Sequence, residues 1–257
     1  MGQVSWIWAA ALAICFVSLA LLESVIPASR GTRPPGTTDA RLVTNFGLGL
    51  LTIGMSGMLP VSTLAAALLA GDKGIGLGQS VALPWIVLFA LLLLARSFTT
   101  YWVHRASHAI PWIWRVHRVH HADAAVDVST ALRNHPIELL IVAPVAAATV
   151  LLIGPPVTVV LAVDTLLFAL GLWQHANIAL PRPIERMLDR IVVTPGFHRA
   201  HHAPDRACHD RNYGDLVPLW DRLFGTLAPP ADRAAPVGLN RAHPDRLLVQ
   251  LLDPAQR

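Results

Sequence analysis

The chain is poor in charged residues and almost without lysine. Only 14% of its 257 residues are charged, whereas a soluble globular domain carries about 25%. Lys73 is the single lysine, so the net charge of +4 comes almost entirely from arginine. The arginines are spread over the segments between apolar runs and over the C-terminal region. This distribution argues against a nucleic-acid partner and is typical of charges that set membrane topology.

Cysteine and the common cofactor motifs are scarce as well. Cys15 and Cys208 lie far apart and form no C-x-x-C pair, which excludes a disulfide framework, a zinc ribbon and a cysteine-ligated iron–sulfur cluster. No His-Pro-Gly-Gly haem signature and no G-x-G-x-x-G dinucleotide motif occur. If the chemistry needs electrons, we expect a separate electron-donor protein to supply them.

Long apolar runs, in contrast, dominate the sequence. Hydrophobic residues make up 54% of the chain and the mean hydropathy is +0.50. Five runs reach the length of about 17–25 residues that a helix needs to cross a bilayer. They cover residues 4–26, 44–70, 81–103, 137–153 and 157–173. The sequence predicts an all-α integral membrane protein with four to five transmembrane helices, the first a retained helix and not a signal peptide, the second kinked at Pro60.

The arginines also indicate an orientation. They cluster in the first and third connections and in the C-terminal region, whereas the alternate connections hold only Asp72 with Lys73 or no charge. The clustered positions before the C-terminal region are Arg30, Arg33, Arg41, Arg105, Arg115, Arg118 and Arg133. The positive-inside rule places these segments on the cytoplasmic side. The arginine- and alanine-rich composition suggests a bacterial cytoplasmic membrane.

A few polar and aromatic residues fall within or beside the runs. Arg96 and Asp164 lie at hydrocarbon depth, where an unpaired charge is costly, so we expect them to pair or to reach a polar cavity. Four tryptophans lie near the cytoplasmic interface, where an aromatic belt is favoured over the lining of a lipid tunnel. They are Trp102, Trp112, Trp114 and Trp173.

Histidine gives the strongest signal. The pattern H-x-x-H-H occurs twice, in HRVHH and HRAHH, and a further H-x-x-x-H pair lies in HRASH. At these spacings the imidazoles share one face of a helix. With the histidine of WQHANI, nine imidazoles collect on one side of the membrane. They are His104, His108, His117, His120, His121, His175, His198, His201 and His202.

Three other histidines are interpreted differently. His209 and His243 are taken as ordinary residues. His135, in RNHPIE, is either an interfacial anchor or a hydrogen-bond donor to one of these histidines.

Neutral imidazole suits zinc, copper, iron and nickel. Nine imidazoles are too many for one ion and appropriate for two, and the E-x-x-H pairs of soluble di-iron bundles are missing. The pattern therefore predicts an all-histidine dinuclear site, and iron is the metal that makes such a site useful for oxygen chemistry. Nearby carboxylates are expected to orient the ligands, although each could instead be a solvated loop charge. The candidates are Asp123, Asp205, Asp210, Asp215 and Glu138.

These motifs together resemble the fatty acid hydroxylase/sterol desaturase superfamily of membrane di-iron oxygenases. The resemblance runs from HRASH through HRVHHAD, RNHPIE and QHANI to TPGFHRAHHAPD and the closing NYGDLVPLWDRLFGT. It implies that the nine histidines hold two irons, which use O2 to hydroxylate or desaturate a lipid entering from the bilayer. Some relatives have a further histidine near the position of His175. Gly171 and Ala179 stand there, which leaves water or a side chain such as Asn177 as a tenth ligand.

The resemblance also suggests a division of the chain. Residues 1–80 would form an N-terminal transmembrane region, 81–228 the di-iron domain and 229–257 a cytoplasmic tail. Two other classes remain as alternatives. A zinc-dependent membrane hydrolase would need fewer histidines and would act without oxygen, and a metal transporter or sensor would carry polar ligands at the membrane midplane.

Overall fold

The computed structural model describes residues 2–29, 38–228, 235–239 and 244–255. Within these ranges the regular structure is helical, and the only β-type pairing is an isolated bridge between Pro27 and Ile178. The α-helices are α1 (Gly2–Val25), α2 (Thr38–Met58), α3 (Thr63–Lys73), α4 (Leu77–Ser80), α5 (Trp85–Ala109), α6 (Pro111–His121), α7 (Leu139–Ile153), α8 (Val157–His175), α9 (Arg182–Leu188), α10 (Pro195–His201), α11 (Arg206–His209), α12 (Leu219–Leu223) and α13 (Leu247–Leu252). Three short 3₁₀ segments are Val128–Leu132, Pro136–Glu138 and Asp253–Ala255. The all-α prediction is confirmed.

Four helical stretches of the described chain are long and apolar enough to cross a membrane. They are Ala40–Ser80, Trp85–Ala109, Pro136–Ile153 and Val157–His175, and Ala10–Val25 is a shorter apolar stretch. Large apolar side chains remain exposed on these helices, among them Leu50 and Leu152 at 70% and 74%. Such side chains are stable against lipid and unfavourable against water, so the helices fit an integral membrane protein.

The second apolar run is divided, and the division is larger than a kink. Helix α2 ends at Met58 and α3 begins at Thr63, with the Ser62 hydroxyl accepting a hydrogen bond from the Ala65 amide at 3.0 Å as an N-cap. Pro60 lies in the gap. Proline lacks the amide hydrogen that a continuing helix requires, so its presence favours the break. Hydropathy alone gave one continuous run, since the residues on both sides of the break are apolar.

Helices α7 and α8 form the hairpin that the GPP segment predicted. Gly154 ends α7 in the left-handed region, at φ 62°. The Cβ of a larger residue at Gly76 would lie 2.5 Å from the Gly154 nitrogen, so the two backbones can approach only as glycines. Leu92, Val150 and Val160 are fully or nearly fully buried in the core that α5 forms with this hairpin.

The two ionisable residues at hydrocarbon depth pair with each other, as predicted. Arg96 Nη1 of α5 donates to Asp164 Oδ1 of α8 at 2.8 Å, and Thr63 of α3 donates to the other carboxylate oxygen at 2.6 Å. The pair therefore ties three helices together and removes two unpaired charges from the apolar layer.

The end of the chain packs against the helical body. Arg118 of α6 donates to the Asp253 carboxylate at 2.5 Å, and Arg133 donates to Asp245 at 2.9 Å. Residues 244–255, which the sequence assigned to a tail, are thus held by ion pairs with Arg118 and Arg133. His243 lies outside the described residues.

Candidate metal centre

The predicted ligands lie where the long helices end. His104 and His108 occupy the last two turns of α5, and His175 is the last residue of α8. Helix α6 starts directly after α5 with proline at its first position, where the missing amide hydrogen costs nothing. Thr194 caps α10, its hydroxyl accepting a hydrogen bond from the Phe197 amide at 3.2 Å. These starts fix the two short helices that carry the H-x-x-H-H motifs.

The nine histidines separate into two groups. In each group the members offer one ligand atom apiece, all within 4.8 Å of one another. The five-histidine group is His104, His108, His117, His121 and His201. The four-histidine group is His120, His175, His198 and His202.

Each H-x-x-H-H motif contributes to both groups. On α6, His117 and His121 belong to the five-histidine group and His120 to the other. On α10 the division is reversed, with His201 in the five-histidine group and His198 and His202 in the four-histidine group. The reason is helical geometry: residues i and i+4 point almost the same way, whereas i+3 points to the other side of that direction. The two short helices therefore face each other as two walls.

Burial keeps five of these imidazoles neutral. Outside the membrane helices, burial lowers the pKa of His120, His121, His198, His201 and His202 well below the usual value, and repulsion from neighbouring imidazolium groups acts in the same direction. A neutral imidazole has one nitrogen lone pair free to bind a metal ion. At neutral pH these five rings are thus nitrogen donors and not positive charges.

Backbone carbonyls orient four of the rings. His104 Nδ1 donates to the Tyr213 carbonyl at 2.9 Å and His175 Nδ1 to that of Gly171 at 2.7 Å. His201 Nδ1 donates to Arg211 at 2.6 Å and His120 Nδ1 to Arg133 at 3.3 Å. A proton on Nδ1 leaves Nε2 as the donor atom for a metal, which is the usual arrangement around ligating histidines. No sequence pattern could have revealed these acceptors, because every residue has a carbonyl.

Three of the candidate carboxylates contact ligand rings. Glu138 accepts from His117 Nδ1 at 2.8 Å. Asp210 lies 3.4 Å from His108 Nδ1, and Asp215 lies 3.5 Å from His104 Nδ1. All three rings belong to the five-histidine group.

The other candidates serve different contacts. The buried Asp123 carboxylate pairs with Arg41 at 3.0 Å and accepts from Thr130 at 2.7 Å, so it anchors the segment after α6 to α2. Burial alone would raise the pKa of Asp123, but the positive charges of Arg41 and Arg133 outweigh burial and lower it. Its position in HRVHHAD, two residues after the last histidine, suggested a contact with an imidazole. The chain turns away after α6 and directs the carboxylate toward α2 instead.

Asn177, Asp205 and His135 also bond elsewhere. Asn177 exchanges two hydrogen bonds with the backbone of Ser29, and Asp205 caps the start of α11. His135 Nε2 donates to the Leu251 carbonyl at 3.1 Å while its Nδ1 accepts from the Ile137 amide. This ring is saturated by backbone contacts at the edge of the site.

His209, which the sequence suggested was an ordinary residue, lies beside the five-histidine group. Its ring centroid lies 4.9 Å from that of His108 and 4.7 Å from that of His121, the same spacing as between members of the five-histidine group. Burial lowers the pKa of His209 to about 4, and the nearby charges of His117 and Arg206 act in the same direction. His209 follows HRAHH closely in sequence but lies outside the repeated motif, so the pattern gave no sign of this position.

The closing NYGD…WDRLFGT block supports the five-histidine group through the backbone carbonyl that His104 contacts. The buried Asp221 carboxylate accepts from the amides of Tyr213 and Gly214, each at 2.8 Å, and from the Thr226 hydroxyl at 2.7 Å. These bonds hold the Tyr213 carbonyl against His104, so the block acts on the site through the backbone.

The nitrogen atoms of the site fit metal ions. The Nε2 atoms of His104, His108 and His201 are buried and have no hydrogen-bond partner. In the four-histidine group, His175 Nε2 lies 3.0 Å from the Nε2 atoms of both His120 and His198. Buried unpartnered nitrogens are costly, and a cation shared by converging lone pairs removes that cost.

One cavity of about 330 Å³ reaches both groups. Imidazoles line one end, with His104 and His117 from the five-histidine group and His120, His175 and His198 from the other. Toward the membrane interior its walls include Val103, Leu139, Val142 and Val145, together with Arg96. The cavity therefore connects the metal-binding nitrogens with an apolar space between α5, α7 and α8.

The four interfacial tryptophans do not line this cavity. Trp112 and Trp102 are 62% and 41% exposed, as expected of side chains in an aromatic belt. Trp114 instead packs on the five-histidine group, with its ring 5.0 Å from that of His108, and Trp173 donates to the Val193 carbonyl at 3.0 Å.

Comparison with known proteins assigns these features to a family. The profile of the fatty acid hydroxylase family matches residues 89–226, which is more than half of the chain and contains both histidine groups. The chain belongs to this family.

Among its relatives is human alkylglycerol monooxygenase, 30% identical over 82% of this chain and 46% of that protein. The alkylglycerol monooxygenase of Danio rerio is 30% identical over 85% and 47%. The ornithine lipid hydroxylase OlsE of Rhizobium tropici is 30% identical over 67% and 52%. The chain thus spans about half the length of these relatives. No solved structure matches it at a significant level.

Proposed function

We propose that the chain is an O2-dependent di-iron hydroxylase, or the related desaturase, that acts on a C–H bond of a membrane lipid. The observation that carries the proposal is a cavity that joins rings of both histidine groups to an apolar space between the long helices. The family and the relatives, all named as lipid monooxygenases or hydroxylases, support the same reaction class.

In this proposal the five-histidine and four-histidine groups hold one iron ion each, with all nine histidines as ligands. The two ions would supply the redox chemistry that activates O2, since stable C–H bonds resist acid–base catalysis. The carbonyl contacts at Nδ1 fix four of the rings with Nε2 directed inward, and Glu138, Asp210 and Asp215 would offset part of the metal charge.

The rest of the cavity would position the substrate. Its apolar walls accept a hydrocarbon chain from the bilayer, and the imidazole end then determines which carbon is oxidised. We include fatty acyl, sterol-like, hopanoid, carotenoid and ether lipids in the substrate class, and the names of the relatives favour polar and ether lipids. Arg96, paired with Asp164, would give the cavity a fixed polar point at depth.

Hydroxylation consumes O2, two electrons and two protons, and it yields the alcohol and water. The electrons would come from a separate donor protein on the side of the histidines. We take that side to be cytoplasmic because of the arginine distribution, and the membrane to be bacterial because of the composition. We assign this reaction to residues 81–228 and treat residues 1–80 as an N-terminal transmembrane region. Residues 229–257 would form a C-terminal tail, of which 244–255 pack against Arg118 and Arg133.

Lipid profiling with labelled oxygen tests the proposal. Cells that express the chain under ¹⁸O2 should accumulate a lipid with one added ¹⁸O atom, or one that has lost two hydrogens. A strain with His120→Ala should accumulate neither, and His243→Ala, outside both motifs, should behave as wild type. Oxygen-independent lipid cleavage with stoichiometric zinc would instead establish a zinc hydrolase and overturn the proposal.

A further inference from the structure

A third set of metal-binding side chains lies at the edge of the five-histidine group. His108, His209 and Asp210 offer one ligand atom each, within 4.8 Å of one another. We call this set the outer trio. His108 belongs both to the outer trio and to the five-histidine group, so the two sets share one ring.

The outer trio runs from the surface to the interior. The side chain of Asp210 is 43% exposed, that of His108 only 1%, and His209 is 7% exposed. The inner imidazoles are all buried. An ion that arrives from water therefore meets Asp210 before it can reach any histidine of the inner groups on this side.

His209 has a buried nitrogen without a partner. Its Nδ1 atom accepts and donates no hydrogen bond. Its neighbours are aromatic rings, with the Trp114 centroid at 4.8 Å and those of His108 and His121 at 4.9 and 4.7 Å. The ring also makes a hydrogen bond to the backbone of Ala203, but its unpaired buried Nδ1 costs about 1–3 kcal/mol, a cost that a cation bound at Nδ1 would remove.

The two nitrogens of His108 lie toward different sets of ligands. Its Nδ1 lies 3.4 Å from Asp210 Oδ1, which is long for a hydrogen bond. Its Nε2 is buried and unpartnered within the five-histidine group. Because a neutral imidazole has one free lone pair, the tautomer determines which nitrogen binds. A change of tautomer would move the ligand function of His108 from the outer trio to the inner group.

We propose that the outer trio is a transient divalent-cation site through which metal ions reach and leave the five-histidine group. The inference rests on the dinuclear centre proposed above. With three ligands the outer trio would bind an ion more weakly than the five-histidine group, so the ion moves inward and is not trapped at the surface.

Iron exchange in the full chain tests this role. Protein purified with iron in mild detergent is mixed with excess chelator, and the rate of iron loss is measured. His209→Ala should start with the iron content of the wild type and lose iron about tenfold more slowly, the scale on which partners outside the ligand shell affect a metal site. Asp205→Asn, which alters the start of the same short helix α11, is the control and should exchange at the wild-type rate.

Trp114 supplies a second readout. Co²⁺ added to the iron-loaded protein should quench its fluorescence, and His209→Ala and Trp114→Phe should each abolish that quenching. An unchanged exchange rate in His209→Ala would overturn the proposal. So would a faster loss or a missing iron in His209→Ala, because His209 would then be a permanent ligand. A wild-type protein that binds no iron would instead reject the dinuclear centre itself.

Discussion

The five-histidine and four-histidine groups are built from the same helices but are supported differently. Carboxylates face three rings of the five-histidine group, through Glu138, Asp210 and Asp215. In the four-histidine group the oriented rings, His120 and His175, donate to backbone carbonyls alone. The five-histidine group would therefore offset part of a bound cation's charge, whereas the four-histidine group offers only neutral imidazole ligands. The difference suggests that two ions of the same element would have unequal affinity and reactivity.

The largest effect should come from removing a ligand of either group. His121→Ala and His202→Ala occupy equivalent places in the two motifs, yet they belong to different groups. Each should lower the iron content by one ion and reduce hydroxylation by more than about a hundredfold, since even partners outside the ligand shell are worth about 10–100-fold. Iron analysis together with product formation measures both. If both variants lost the same ion, as judged by identical spectra of the remaining iron, the division into two groups would be wrong.

The next effect concerns stability and not metal. Asp123→Asn removes one of the two carboxylates that pair with the buried Arg41. Because Asp127 still pairs with it, the cost should not exceed about 3–5 kcal/mol, the cost of breaking a buried pair completely. The free energy of unfolding in detergent should fall by up to that amount, whereas the folded fraction should keep its full iron content. An iron deficit in well-folded Asp123→Asn protein would show that Asp123 supports the ligands after all.

A smaller and selective effect is expected from Glu138→Gln. The amide can still accept from His117 but lacks the negative charge, so the affinity of the five-histidine group should fall about 10–100-fold. A chelator titration should show one ion released earlier and the other unchanged. Equal weakening of both ions would mean that the two groups behave as one unit.

The last prediction concerns the pH dependence of the iron-free chain. Because burial lowers the pKa of His120, His121, His198, His201 and His202 in the folded chain, the unfolded chain binds more protons below its usual histidine pKa of about 6.5. The stability of iron-free protein should therefore be complete above that pH and decline as the pH falls below it. Thermal unfolding of iron-free protein between neutral and mildly acidic pH measures the decline. A melting temperature that rises on acidification would contradict the account.

Much of the site follows from spacing alone, and the rest depends on how the chain turns between helices. The i, i+3, i+4 pattern was sufficient to place three imidazoles of each motif on a short helix, and the apolar runs placed α5 and α8 beneath them. Spacing could not show that Asp123 turns toward α2, that His209 returns to the edge of the site, or that the Tyr213 carbonyl orients His104. These positions depend on loops whose path is set by tertiary contacts such as those of Asp221.

The fold shows the same limit. The hairpin of α7 and α8 follows from GPP, because glycine permits the left-handed turn at Gly154 and proline restarts the next helix. The break between α2 and α3 was foreseen only as a kink at Pro60, since hydropathy does not distinguish a bent helix from two helices.

The most direct test of the account is the iron of the purified wild-type protein, measured by metal analysis and by Mössbauer spectroscopy after loading with ⁵⁷Fe. We expect about two irons per chain, with two distinct Mössbauer signals of equal area. Imidazole suits iron, and the two groups differ in ligand number and in carboxylate support. A single bound ion, or stoichiometric zinc with no affinity for iron, would contradict it.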